Sequence, residues 1–311
     1  MDITLIVPTY RRPRDLARCL GAIARQTQRP DQLLLVVRDT DHETRDFLAA
    51  PTVADVSWQV VTVTEPGMIA AMNAGLDQAT GAVVAFTDDD AAPHPDWLER
   101  IAKTYAQDPQ IGGVGGRDYV YVGDRLLEGA ELVVGQVQWF GRVVGNHHLG
   151  SGGPRDVDVL KGVNMSYRRA ALGERHFDGR LLGSGAQPHN ELAMCLRLRR
   201  AGWRLIYDPQ IAVDHFPAHR PEGDERVQFN ELTYGNAVHN ETLALLDGLP
   251  PWRQMIFLLW ALAIGTSSAF GLVQWLRFLP RDAPLATQKL RLAWQSRWQG
   301  WQTHLNSPAQ P

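Results

Sequence analysis

The chain has 311 residues, 44% hydrophobic and 21% charged, which is enough for one large α/β domain with an appendage. Its formal net charge of −3 offers no general attraction to nucleic acid. Its two cysteines, Cys19 and Cys195, stand in apolar helical patterns without metal-ligand spacing and read as reduced core thiols.

The chain opens directly on Ile3 to Val7, an apolar run that reads as a first strand with no basic segment or long apolar leader before it. A catalytic part that stays in the cytoplasm is therefore expected. Pro8 to Pro13 reads as the loop leaving that strand, and Asp15 begins a helix with Leu16, Cys19, Leu20 and Ile23 at helical spacing. Leu33 to Val37 is a second strand closed by Arg38-Asp39-Thr40-Asp41. Trp58 to Val63 is a third, followed by a helix from Met68 to Gln78. Strands alternating with helices at this spacing predict an α/β fold, a mostly parallel sheet flanked by helices. Loops leaving parallel strands gather at one edge, so Thr9, Asp39 and the next strand's end should converge there.

That next strand, Val83 to Phe86, runs into Thr87 and then three acids, Asp88, Asp89 and Asp90. Side chains alternate along an extended chain, so Asp88 and Asp90 should face one side and Asp89 the other. Adjacent carboxylates repel unless a cation or a proton compensates, and a divalent metal is the direct solution. A solvated turn capping the helix at Asp96 to Arg100 is the alternative. Haloacid-type phosphatases also place an Asp-x-Asp after a strand and use the first carboxylate as nucleophile. From Ile111 the chain is glycine-rich, which reads as turns or as loops that let a ligand approach closely, and residues 117 to 157 are where acceptor-side variation is expected.

The sequence resembles the family 2 glycosyltransferases, which have the GT-A fold, on seven segments in family order. These are Val7-Pro8-Thr9-Tyr10-Arg11-Arg12, Val36-Val37-Arg38-Asp39, Asn73-Ala74-Gly75, Phe86 to Asp90, Gly162 to Arg169, Glu191 with Leu196 to Trp203, and Tyr207-Asp208-Pro209 running to His215. The resemblance implies a Rossmann-like GT-A domain over residues 1–225 that inverts configuration while moving a sugar from a nucleotide-diphosphate donor. It puts Pro8, Thr9, Tyr10, Arg12, Asp39, Asn73, Asp88, Asp89 and Asn164 on the nucleotide-sugar, with Asp39 at the base, Asp88 near the ribose and Asn164 at the sugar. Asp90 and His215 would hold Mn²⁺ or Mg²⁺, and Glu191 would be the catalytic base. Two positions depart from the family pattern. Met72 stands where an Arg is common, and Asn190-Glu191 replaces the usual Glu-Asp. His189 and His219 lack family support and read as surface or supporting residues.

Residues 226–311 read as a helical, membrane-associating region. No charge falls between Arg253 and Arg277, and residues 254–276 approach the length of a bilayer crossing, with Trp252 and Trp275 as interfacial anchors. Residues 277–305 carry five cations, Arg277, Arg281, Lys289, Arg291 and Arg297, against Asp282 alone. A single crossing would carry that basic tail outward, so two short helices lying on the cytoplasmic leaflet are preferred, with a single span as the alternative. Leu290, Trp294, Arg297, Trp298 and Trp301 suggest an amphipathic interfacial helix, and a helix packed on its own domain or on a second copy is the competing arrangement. Gln295-Ser296-Arg297-Trp298 is one residue short of the Gln-x-x-Arg-Trp element of processive polysaccharide synthases, which argues against chain extrusion. The expected partners are a nucleotide-diphosphate sugar, a lipid-linked, polysaccharide or other glycan acceptor and a membrane surface. Homo-oligomerisation is left open. A membrane-attached nucleotide-sugar-binding scaffold without turnover is the rival reading.

Overall fold

A computed structural model of the protein describes residues 1–50, 55–217 and 229–307. Its first part alternates β1 (Ile3–Thr9), α1 (Pro13–Ala24), β2 (Gln32–Arg38), α2 (His42–Ala49), β3 (Gln59–Val63), α3 (Met68–Gln78) and β4 (Val83–Phe86). There follow β5 (Ala91–Pro93), α4 (Trp97–Gln107), β6 (Ile111–Val122), β7 (Met165–Arg168), α5 (Asn190–Arg200) and β8 (Arg204–His215). Four helices close the chain: α6 (Glu231–Gly248), α7 (Pro251–Ala263), α8 (Leu272–Phe278) and α9 (Ala283–Asn306).

The main sheet has ten strands, ordered β8-β6-β7-β4-β1-β2-β3, with β5 and the short strand Arg155–Asp156 on β8 and Arg125–Leu126 on β6. β1 is parallel to both β2 and β4, so the chain reverses its direction of growth between β1 and β4. In open α/β sheets ligands bind beyond the strand ends at such a switch point. β7 runs antiparallel to both β4 and β6, and β8 runs parallel to β6.

Period-two alternation decides which face each strand residue serves. Ile3, Leu5 and Val7 pack with Leu16, Cys19, Leu20 and Ile23 of α1 and with Trp97 and Ile101 of α4. Ile6, Leu34, Val36, Val84 and Phe86 point the other way, into a core shared with α3, α5, α6 and α7. The two cysteines are buried and free, as their helical patterns suggested.

The structure bears on four expectations. The glycine run is neither turn nor loop but the buried strand β6. There Gly115 and Gly116 let neighbouring backbone come so close that a Cβ on Gly116 would sit 1.8 Å from the Ile211 carbonyl oxygen. The apolar stretch 254–276 is broken into α7 and α8 by a small hairpin pairing Gly265–Thr266 with Ala269–Phe270, and among the described residues no helix is long and apolar enough to cross a membrane. α9 is not a free interfacial helix. Its small residues Ala286, Ala293, Ser296 and Gly300 form a seam against α6, and Arg297 is buried with its guanidinium on Thr242 Oγ1 (3.1 Å) and Glu241 (3.3 Å). The expected boundary between 225 and 226 lies outside the described residues, as does His219, but Leu243, Leu246, Phe257 and Ala261 belong to the same core as the sheet. The C-terminal helices are therefore part of the domain's packing, each buried Leu contributing roughly 1.5–3 kcal/mol to it.

Gly116→Ala should cost more than about 3 kcal/mol in urea unfolding or prevent soluble expression, because backbone rather than a flexible side chain blocks the methyl. Gly153→Ala, with open space at its Cβ, should stay within about 0.5 kcal/mol of wild type.

Candidate active site

The three acids follow β4 at the switch point. Thr87 fixes their start, its N–H donating to the Ile6 carbonyl (3.3 Å) and its hydroxyl to the Val163 carbonyl (2.9 Å). Asp89 turns inward and is almost fully buried. It accepts from the Thr9 hydroxyl at 2.8 Å and from Arg12 at 3.2 Å. Burial pushes its carboxyl up to about 7, against the opposing pull of Arg12 and the Thr9 hydroxyl. Thr9, Arg12 and Asp89 thus tie the β1 loop to the β4 loop, and Arg12 also lies 3.6 Å from Asp90.

Asp88 and Asp90 group together, though in a turn closed by the Ala91 N–H on the Asp88 carbonyl (3.2 Å) rather than in an extended strand. β5 and β8 bring His215 to them: His215 pairs with Ala91 across an antiparallel ladder, and the Phe216 N–H donates to the Asp90 carbonyl at 2.9 Å. One ligand atom from each of Asp88, Asp90 and His215 lies within 4.8 Å of the others. Behind the imidazole stands Asp118 of β6, fully buried and ion-paired with Lys161. His215 Nε2 lies 3.5 Å from Asp90 and Nδ1 lies 3.5 Å from Asp118. Burial disfavours the charged ring, but Asp118 and Asp90 outweigh it and raise the pKa to about 9. Burial likewise opposes ionising Asp118, yet His215 and Lys161 hold its carboxyl below the usual range. A second carboxylate on the far nitrogen of an imidazole fixes which nitrogen faces a metal. Two carboxylates and one such imidazole suit Mn²⁺, and Mg²⁺ by its oxygens. Asp118 and Lys161 were not singled out in the sequence. Their role depends on Asp118 lying beside Val213, a pairing of β6 with β8 that no local pattern announces.

The remaining site residues divide. Pro8 lies in β1 opposite Val36, Tyr10 is half-buried, and Arg11 adopts a left-handed φ of 54°. That strained turn is held by Asp41, which accepts the Arg11 N–H at 2.6 Å while capping α2 through the Thr44 N–H (3.1 Å) and hydroxyl (2.7 Å). Asp39 is exposed at the end of β2, on the same edge as the β1 loop. Asn73 instead faces the fold: its amide exchanges two hydrogen bonds with the Phe177 backbone, at 2.9 and 2.8 Å. Asn164 is fully buried, accepting from the Trp97 indole (2.8 Å) and donating to the Arg117 and Ile211 carbonyls (3.1 and 2.8 Å). The structure gives both asparagines work within the fold. Met72 is buried in the core, so the atypical residue at that position is a packing residue.

Glu191 stands in the first turn of α5, half-buried, and its carboxylate takes no hydrogen bond or ion pair among the described residues. His189 caps that helix in a left-handed conformation. The loop before it is pinned to the start of α3: the Met68 N–H donates to the Gly185 carbonyl (2.9 Å) and the Ile69 N–H to the Gln187 side chain (2.9 Å).

The acid-rich rim and the imidazole thus meet at the switch point of a mostly parallel sheet. A model described as glycosyltransferase like family 2 matches residues 1–230, and the chain belongs to that family. It is similar to a glucosyl-dolichyl phosphate glucuronosyltransferase of Haloferax volcanii, 29% identical over 69% of each chain. Among solved structures it is similar to S. aureus TarS 1-349 in complex with UDP-GlcNAc, with a TM-score of 0.57 and 14% identity over 97% of this chain and 90% of that one. A second is the mannosyltransferase PcManGT from Pyrobaculum calidifontis in complex with GDP-Man and Mn²⁺, with a TM-score of 0.55 and 17% identity over 99% and 88%. These likenesses carry the GT-A fold expected from the sequence, and family membership sets aside the Asp-based phosphatase.

Asp41→Ala should cost about 1–3 kcal/mol in urea unfolding, since it removes a helix cap and releases the Arg11 turn together. A loss under about 0.5 kcal/mol would show that the turn holds without it.

Proposed function

We propose that the chain is an inverting, divalent-metal-dependent glycosyltransferase that moves a sugar from a nucleotide-diphosphate donor to a lipid-linked, polysaccharide or other glycan acceptor at a membrane surface. The observation that carries this is the convergence of Asp88, Asp90 and His215 at the switch point of the sheet. Asp88, Asp90 and His215 would hold Mn²⁺ or Mg²⁺, and the ion, when bound, would offset the charge of the departing diphosphate. Tyr10 and the turn at Arg11 flank the nucleotide, and Asp39 is exposed where it can accept from a base. Arg12 screens Asp89 and Asp90 from each other.

The chain's own proton chemistry falls to Glu191. Inversion needs a base on the acceptor side to take the hydroxyl proton as the oxygen attacks the anomeric carbon, and an unengaged, half-buried carboxylate meets that need. The extra methylene relative to an Asp shifts its reach, and the pinned loop 183–189 sets where it points. A lipid-linked acceptor is the favoured class, because the Haloferax relative is named for a dolichyl phosphate substrate. The cytoplasmic face is part of this proposal.

A thermal-shift series tests the reading. Uridine, guanosine or thymidine diphosphate should raise the melting temperature only with Mn²⁺, and Asp90→Ala should abolish the shift. Glu191→Gln should keep the shift and lose about 10²–10⁴-fold in kcat. A metal-independent shift unchanged in Asp90→Ala would remove the metal role, and full turnover in Glu191→Gln would remove the base.

His215 must surrender its proton before Nε2 can take a cation. Affinity for Mn²⁺ alone should therefore rise with pH, by up to about tenfold per unit between roughly pH 6 and 8.5, with proton release in calorimetry. In Asp118→Asn the ring's pKa drops, so the rise should level off at a lower pH. An affinity flat across that range would show that the imidazole is not a ligand.

A further inference from the structure

The C-terminal helices carry an apolar face that the core does not use. On α7, Trp252, Met255, Leu259 and Leu262 recur at helical spacing and are exposed, while Phe257 and Ala261 on the opposite side are buried. Ile264, just past the helix end, is also exposed. α8 has no buried residue and exposes Leu272, Val273 and Leu276. Solvent-facing Leu259 and Leu276 are among the most exposed large apolar side chains, at 65% and 59%. A patch of this extent on one face marks an interaction surface.

A third segment joins it. The acceptor-side insertion presents Trp139, 64% exposed, and Arg253 of α7 clamps that segment by donating to the carbonyls of Trp139 (3.1 Å), Gln138 (2.9 Å) and Val137 (3.2 Å). The Phe140 ring packs on Trp260 at 5.1 Å, and Gly141 lies so close to Phe257 that a Cβ would meet its ring at 2.6 Å. Trp139 is thus held beside α7 as part of the same surface. The same insertion continues to Lys161, the partner of Asp118 behind His215.

Charge identifies the occupant. From residue 248 to 281 there is no acid, and exposed Arg277 and Arg281 border the apolar face. We infer that α7, α8 and Trp139 form a docking face for a bilayer containing anionic phospholipid, lying at the boundary of headgroups and acyl chains. Hydrocarbon takes the apolar row and lipid phosphates take Arg277 and Arg281. A second copy of this chain is disfavoured, because a two-fold contact through this face would bring its own arginines together. A helix of α7's length lies on a bilayer and does not cross it. This inference rests on the proposed lipid-linked acceptor for its purpose: docking would turn the acceptor-side insertion toward substrates carried in the membrane.

The full chain is tested by co-sedimentation with vesicles of phosphatidylcholine, with and without phosphatidylglycerol. Wild type should bind the anionic vesicles, with a blue shift of tryptophan emission. The paired variant Leu259→Glu, Leu276→Glu should lose roughly tenfold or more in vesicle affinity, with melting temperature and Mn²⁺-dependent nucleotide binding unchanged. The pair Arg277→Gln, Arg281→Gln should erase the preference for phosphatidylglycerol. The inference is overturned if folded wild type binds neither vesicle, or if the Glu pair binds as wild type does. It is also overturned if sedimentation velocity shows a dimer that the Glu pair dissolves without any vesicle binding. Nucleotide binding measured on the same samples separates the two proposals. Its loss with docking retained counts against sugar transfer, and the converse against docking alone.

Discussion

Three carboxylates in a row at the end of a buried strand repel one another, and the active-site half of this molecule is arranged around resolving that repulsion. The chain does so by giving them different partners. Asp89 is compensated from within, by the Thr9 hydroxyl and the Arg12 guanidinium. Asp88 and Asp90 are grouped with His215, which completes a set of donors suited to a hard divalent cation. The internal tie and the external site are two sides of one short segment, so the geometry of each constrains the other.

The sheet supplies the rest. β1 and β4 lie side by side at the switch point, and β5 pairs with β8 so that His215 arrives beside Asp90. β6 runs next to β8 and delivers Asp118 to the far side of the imidazole. The close passage of β6 past Ile211 is what glycine at 116 permits, so a run that reads locally as a turn is in fact part of what carries Asp118 to the site. Burial then makes the Asp90, His215 and Asp118 arrangement consequential. In a water-poor setting the carboxylates favour a proton on the ring, which a bound metal would have to displace.

Much of this was legible in the sequence. Apolar runs at β1, β2 and β4 and the helical spacing of α1 were local signals, and the structure reproduces them with small shifts of boundary. The grouping of Asp88 with Asp90 was expected from alternation, and the structure achieves it by a turn instead. What local pattern could not show were the residues whose role depends on pairing distant in the chain, Asp118 and Lys161 above all. Asn73 and Asn164 were marked by resemblance, yet their amides are engaged by Phe177, Trp97, Arg117 and Ile211. In α9, tryptophans and cations suggested a surface helix, whereas the small residues Ala286, Ala293 and Gly300 decide the packing by letting α6 approach. A small residue gives a weak sequence signal and a strong steric one.

The most direct measurement is anomalous diffraction at the manganese edge from crystals grown with Mn²⁺ and a nucleoside diphosphate. The account predicts one strong peak within about 2.0–2.4 Å of carboxylate oxygens of Asp88 or Asp90 and of His215 Nε2, with Asp118 on the opposite nitrogen. A manganese ion bound elsewhere, or His215 turned away from a fully occupied ion, would contradict it.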